Sequence, residues 1–162
     1  MKIHWSSVDV EPDMSMAFLP PEKLSEHIPK HLQNSEYHKC PAFTQKIKNT
    51  YVLRSPWDLE FTIDENGMFC NNELFSKVNL ENMGSRILQM QMPYIFFAEE
   101  SCEASLMHPY LHHNSFTENG NTVYGQYNIG KWFRPIQAGF VLKDSKSYIY
   151  NIKRGDVFAY IN

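Results

Sequence analysis

Long apolar runs are missing from this chain. The longest, Met92-Pro-Tyr-Ile-Phe-Phe-Ala98, is strand-sized, far short of the ~18 residues that a membrane-spanning helix needs. The amino terminus, Met1-Lys-Ile-His-Trp-Ser-Ser7, lacks the apolar core of a secretory signal, so an intracellular protein with no membrane association is expected. Cysteine is scarce: Cys40, Cys70 and Cys102 form no CxxC pair, and their odd number, 3, fits reduced, buried thiols better than a disulfide framework. No sign of charge dominates either. The 15 Lys+Arg and 18 Asp+Glu are scattered, the net charge is -3, and no basic stripe exists to neutralise a run of phosphates. Nucleic-acid binding is therefore not expected. Gly125, Gly130 and Gly139 are isolated, so a glycine-rich nucleotide loop is absent, as are internal repeats and low-complexity tracts.

What is present is core-forming material. Over 162 residues, 43% are hydrophobic and 14% aromatic, enough for one domain. Residues 1–162 are read as a single domain, with an irregular arm over 1–40 and a β-rich core over 41–162. Pro12, Pro20, Pro21 and Pro29 interrupt the arm. Within it, Pro21-Glu-Lys-Leu-Ser-Glu-His27 is expected to form a turn or two of helix, with Pro21 in the first position. A second short helix is expected over Pro41-Ala-Phe-Thr-Gln-Lys-Ile-Lys48, where Phe43 and Ile47 share a face.

After Asn49 the periodicity changes to two. Residues 51–55 and 57–63 alternate, placing Trp57, Leu59, Phe61 and Ile63 on one face, and Asp64-Glu-Asn-Gly67 suits a hairpin turn into a return strand at Met68-Phe-Cys70. Residues 87–92 and 93–98 form two apolar runs parted by Pro93. No pattern is evident over 99–121. Four β-branched and aromatic segments follow, over 122–127, 137–142, 147–152 and 156–161, each bounded by turn residues. The fold class is thus all-β, an antiparallel β-sandwich or jelly-roll with one or two short helices near the amino terminus. Asn162 follows directly on a strongly apolar strand. That strand is either central and already paired, or the chain is a piece of a longer one.

Taken together, Cys40-Pro-Ala-Phe43 with Lys48-Asn-Thr-Tyr-Val-Leu-Arg-Ser-Pro56, Tyr94-Ile-Phe-Phe-Ala-Glu-Glu100 leading to Pro109-Tyr110, and Asn128-Ile-Gly-Lys-Trp-Phe-Arg-Pro135 with Lys153-Arg-Gly-Asp156 resemble an uncharacterised protein family of tailed bacteriophages. That family is best represented in marine and cyanobacterial phages. The resemblance covers about residues 38–162, and Lys-Trp-Phe-Arg-Pro is its most specific part. It implies a viral, β-rich protein in the cytoplasm of the infected host cell, and it carries no catalytic residues across. The chain departs from the family pattern in two places: proline stands there at the position of His108, and family chains continue past the Gly-Asp turn. The first weakens a metal role for His108; the second favours a chain that is a piece.

Several constellations remain to weigh. His108, His112 and His113, with Glu99, Glu100 and Glu103, offer ligands for a divalent metal in a cupin- or oxygenase-like jelly roll, but no histidine follows His113 to complete such a site. Cys40 beside His38 has the residue types of a nucleophile and base but no third orienting group. Asp58 and Glu60 share a strand face as a glycosidase pair would, and equally as any polar strand face would. Lys153-Arg-Gly-Asp156 is read as a plain turn. The best-favoured group is Trp132 and Arg134, an aromatic platform with a cation for a carboxylate or phosphate, joined by Arg54 and Trp57 if the two pairs meet in space.

The preferred expectation is an accessory protein acting by binding an unidentified protein or small-molecule partner rather than by catalysis. It needs no cofactor. The alternatives are the metal-dependent enzyme and, more weakly, a virion structural component that oligomerises through an uncovered edge strand.

Overall fold

The computed structural model describes residues 2–8, 19–33, 35–64, 67–70, 80–82, 87–92, 94–142 and 148–162. Antiparallel sheet dominates, and the expected all-β class gives way to a mixed α/β chain: among the described residues two α-helices, α1 (Pro41–Lys48) and α2 (Ser115–Asn119), and three 3-10 turns accompany the strands.

Strand β14 (Val157–Ile161) is the axis of the largest sheet. It lies between β3 (Tyr51–Arg54) and β9 (Glu103–Met107), with β2 (Glu22–Lys23) and β11 (Gly125–Asn128) at the edges. All five residues of β14 are buried, as a strand covered on both faces requires, which explains its unbroken apolar character. A register shift between Val157 and Ala159 changes the parity of the strand. Phe158, Ala159 and Ile161 consequently face the main core, while Val157 and Tyr160 face a second, smaller one. This terminal strand is centrally paired, between β3 and β9.

Three other sheets complete the described residues. β12 (Gln137–Leu142) sits between β10 (Gly120–Thr122) and β7 (Ile87–Gln91), with β6 (Leu80–Asn82) beyond β7. β4 (Leu59–Asp64) sits between β13 (Tyr148–Ile152) and β5 (Gly67–Cys70), and β1 (Ile3–Ser7) pairs with β8 (Tyr94–Ala98). The expected hairpin is present, with Asp64 opposite Gly67, although Glu65 and Asn66 lie outside the described residues. Pro93 does too, and the runs flanking it fall in different sheets. Among the described residues no sheet closes into a barrel, and no helix is long and apolar enough to cross a membrane.

The amino-terminal region is more than an irregular arm. Residues 3–7 form a strand, and Leu24, Ile28 and Ile47 build the second core against Val52 and Tyr160. The helix expected at 21–27 is mostly absent: Glu22 and Lys23 extend to pair with β3, leaving a single 3-10 turn at Leu24–Glu26. Sheet pairing has overridden a weak local helical preference. α1 forms as expected, opened by Pro41, with Ile47 buried and Phe43 packed beside it. Cys40, expected buried, is exposed.

The segment without a visible pattern contains β9, α2 and β10. α2 starts with a reciprocal cap, the Thr117 N–H donating to Asn114 Oδ1 at 3.0 Å and the Asn114 N–H to Thr117 Oγ1 at 2.9 Å. Phe116 then stacks edge-on against Phe140, ring centroids 4.6 Å apart. Residues 122–127, expected as one strand, divide into β10 and β11 at the exposed Val123 and Tyr124.

Phe140 is fully buried in the main core. Phe140→Ala is expected to lower unfolding free energy by about 3–5 kcal/mol, read as a drop in the urea midpoint at unchanged slope.

Candidate functional site

The loop after β11 is built to hold its tip in one place. Asn128 accepts the Gly130 N–H through Oδ1 at 3.1 Å and donates through Nδ2 to Ser101 Oγ at 2.7 Å and Glu103 Oε1 at 3.0 Å. Its backbone carbonyl accepts the N–H groups of Lys131 and Trp132. Ile129 is buried; it donates to the Cys102 carbonyl and accepts from the Ala98 N–H. Gly130 presses so closely on this wall that a Cβ there would lie 2.1 Å from the Glu100 carbonyl oxygen. The run Asn-Ile-Gly is thus an anchor, and the run Lys-Trp-Phe-Arg that follows is displayed by it.

Trp132 is 52% exposed and Phe133 67%, so Trp132 is no core plug. The Arg134 guanidinium carbon lies 5.9 Å from the centroid of the Trp132 ring, and Tyr127 meets that ring edge-on at 6.4 Å. Beside them opens a cleft of about 490 Å³. Leu106, Val123, Ile136 and Ile87 give it apolar walls, and Gln89, Gln126 and Gln137 supply amides. Among the described residues Arg134 is its one charged lining residue and no carboxylate lines it. Gly125 leaves it open, since a Cβ there would meet nothing within 4 Å. Size, apolar walls and a few convergent polar groups are the features of a small-molecule site.

Arg54 and Trp57 do not join this cleft. Trp57 packs against the main core. Arg54 instead lines a second cleft of about 310 Å³ together with His31, His112, His113, Asn114 and Asp156. The structure thereby brings one residue of one expected site, Arg54, together with two of another, His112 and His113. His112 is committed on both sides: Nε2 donates to the His27 carbonyl at 3.0 Å, which leaves Nδ1 to accept from the Tyr160 hydroxyl at 2.5 Å. Tyr160 in turn accepts the Leu111 N–H at 3.3 Å. Burial holds the His112 pKa below the ordinary histidine value, and the nearby Arg54, His27 and His113 act in the same direction, against the opposing effect of the bond donated to the His27 carbonyl. His108 stands apart, its Nδ1 accepting the Thr122 N–H at 3.3 Å. Among the described residues no three His, Cys, Asp or Glu side chains are grouped to hold a metal.

The other constellations are held internally. Asp58 Oδ1 accepts the Arg154 N–H at 2.9 Å, which ties the acid to the Lys153–Asp156 turn. That turn is closed by Asp156 N–H to the Lys153 carbonyl and by Gly155 at a φ of 90°, the left-handed region glycine favours. His38 packs edge-on against Phe43, and no hydrogen bond joins it to Cys40 among the described residues. Sequence reasoning missed Tyr127, Gln89, Gln137 and His31. The first three lie on β7, β11 and β12, and their nearness to Trp132 becomes visible once register is known.

No family model matches the chain, and no curated protein or solved structure matches it.

Two outcomes follow from these contacts. Gly130→Ala should lower stability by about 1–3 kcal/mol in urea denaturation, because the Glu100 backbone must yield. For His112, the depressed folded pKa means that the unfolded chain takes up the proton first as pH falls. Stability should therefore be complete above the unfolded histidine value of about 6.5 and decline as pH falls from there toward the folded value. Denaturation of His112→Gln across the same pH window should show a smaller decline than the parent.

Proposed function

We propose that this is a phage-encoded accessory protein that binds a small organic ligand in the Trp132 cleft and does not act by catalysis. The observation that carries the reading is the pairing of an exposed tryptophan with a guanidinium at the mouth of an apolar cleft that no carboxylate lines among the described residues. Such a lining favours a flat apolar body with an anionic group: the ring lies against Trp132 and the anion meets Arg134. The internal hydrogen bonds of His112 and Asp58 favour binding over catalysis. The phage origin and a place in the host cytoplasm rest on the motif resemblance. A sandwich of jelly-roll kind is the architecture we propose, supported by the way strands from all four sheets feed one main core.

A suitable probe is 8-anilinonaphthalene-1-sulfonate, which carries both an aromatic body and an anion. Its fluorescence titration should show one site per chain. Trp132→Ala should weaken it by about tenfold and Arg134→Gln by about fivefold. Gly125→Leu fits the open space at that position and should abolish binding by filling the cleft. Tyr37→Ala, an exposed aromatic elsewhere, should change nothing. Unchanged affinity in both the Trp132 and Arg134 variants would overturn the reading.

A further inference from the structure

We propose that the second cleft, around Arg54 and the histidines, is a separate binding site for a phosphate group. Arg54 reaches it from the end of β3 with its side chain 20% exposed. Its guanidinium is aimed from two sides: Nε donates to Glu22 Oε2 at 2.8 Å and Nη1 to the Gly155 carbonyl at 2.8 Å. Nη2 is left uncommitted among the described residues. His31, from the 3-10 turn Lys30–Leu32, and His113, from the loop before α2, line the same cleft. Both are exposed and make no hydrogen bond among the described residues. A fixed guanidinium with two free imidazoles arriving from separate elements is a donor set for a tetrahedral oxyanion.

Each nearby carboxylate has one oxygen engaged. Asp156 lines the cleft, but its Oδ2 accepts the Lys153 N–H at 2.9 Å. Glu22, outside the lining, divides Oε2 between Arg54 and His27 Nε2, the latter at 3.2 Å. A metal is the poorer occupant, because Arg54 repels a cation and His112 has no ring nitrogen to offer. At about 310 Å³ the cleft has room for a phosphate carried on a small organic body as well as for the free ion.

The test is calorimetric titration of the full chain at low ionic strength with inorganic phosphate and, separately, with glycerol 3-phosphate. Saturable binding is expected, weakened by about tenfold in each of His31→Ala and His113→Ala and lost in Arg54→Gln. Arg54 also braces Glu22, so the two rim histidine variants, with unchanged circular dichroism, carry the decision. Tighter binding of the ester identifies a phosphomonoester as the natural occupant; equal binding identifies free phosphate. The absence of binding of either probe to the parent chain, or unchanged affinity in both histidine variants, overturns the proposal. The sulfonate probe titrates the Trp132 cleft separately, so failure of one site is distinguishable from failure of the other.

Discussion

Everything in this molecule leans on the burial of β14 on both faces. A strand with apolar residues at every position can be stable only if each side is covered, and here different parts of the chain supply the two covers. The main core closes over Phe158, Ala159 and Ile161; Leu24, Ile28 and α1 close over Val157 and Tyr160. The bulge that sets this partition also delivers Tyr160 to His112. One backbone irregularity therefore shapes both the hydrophobic layering and the polar relay.

The two clefts lie on opposite sides of that arrangement in a chemical sense. Among the described residues the Trp132 cleft has apolar walls and a single cation, and the loop bearing it is held at its base by Asn128 and Gly130 and at its tip by ring contacts of Trp132 with Tyr127 and of Phe133 with Phe97. Exposed aromatics cost solvation unless something covers them, which is why a rigid loop that displays them reads as a binding element. The Arg54 cleft sets Arg54, Asp156 and three histidines among Pro29, Leu111 and Val157, and its walls come from residues 29–31, the end of β3, the loop before α2 and the turn into β14. Arg54 is oriented there by hydrogen bonds to segments distant in sequence, the Glu22 carboxylate and the Gly155 carbonyl.

Tyr127 shows a cost of this design. Its hydroxyl is buried without a hydrogen-bond partner among the described residues, and burial pushes its pKa up. An unsatisfied buried hydroxyl costs about 1–3 kcal/mol. The ring is nevertheless held where it supports Trp132 edge-on.

The sequence by itself determined most of the antiparallel strands after residue 49, the helix opened by Pro41, the hairpin across Asp64 and Gly67, and the grouping of Trp132 with Arg134. All of these are local signals: period-two alternation, a proline at a helix start, a turn dipeptide, and an aromatic beside a cation in a short run. Tertiary structure decided the rest. Glu22 and Lys23 became strand because β3 offered an edge, and β9 went unread because Ala104 and Leu106 are too few apolar residues to show a period. Arg54 parted from Trp132 and joined His112 because partners far apart in sequence meet only through sheet register, and no spacing within a single segment encodes that register.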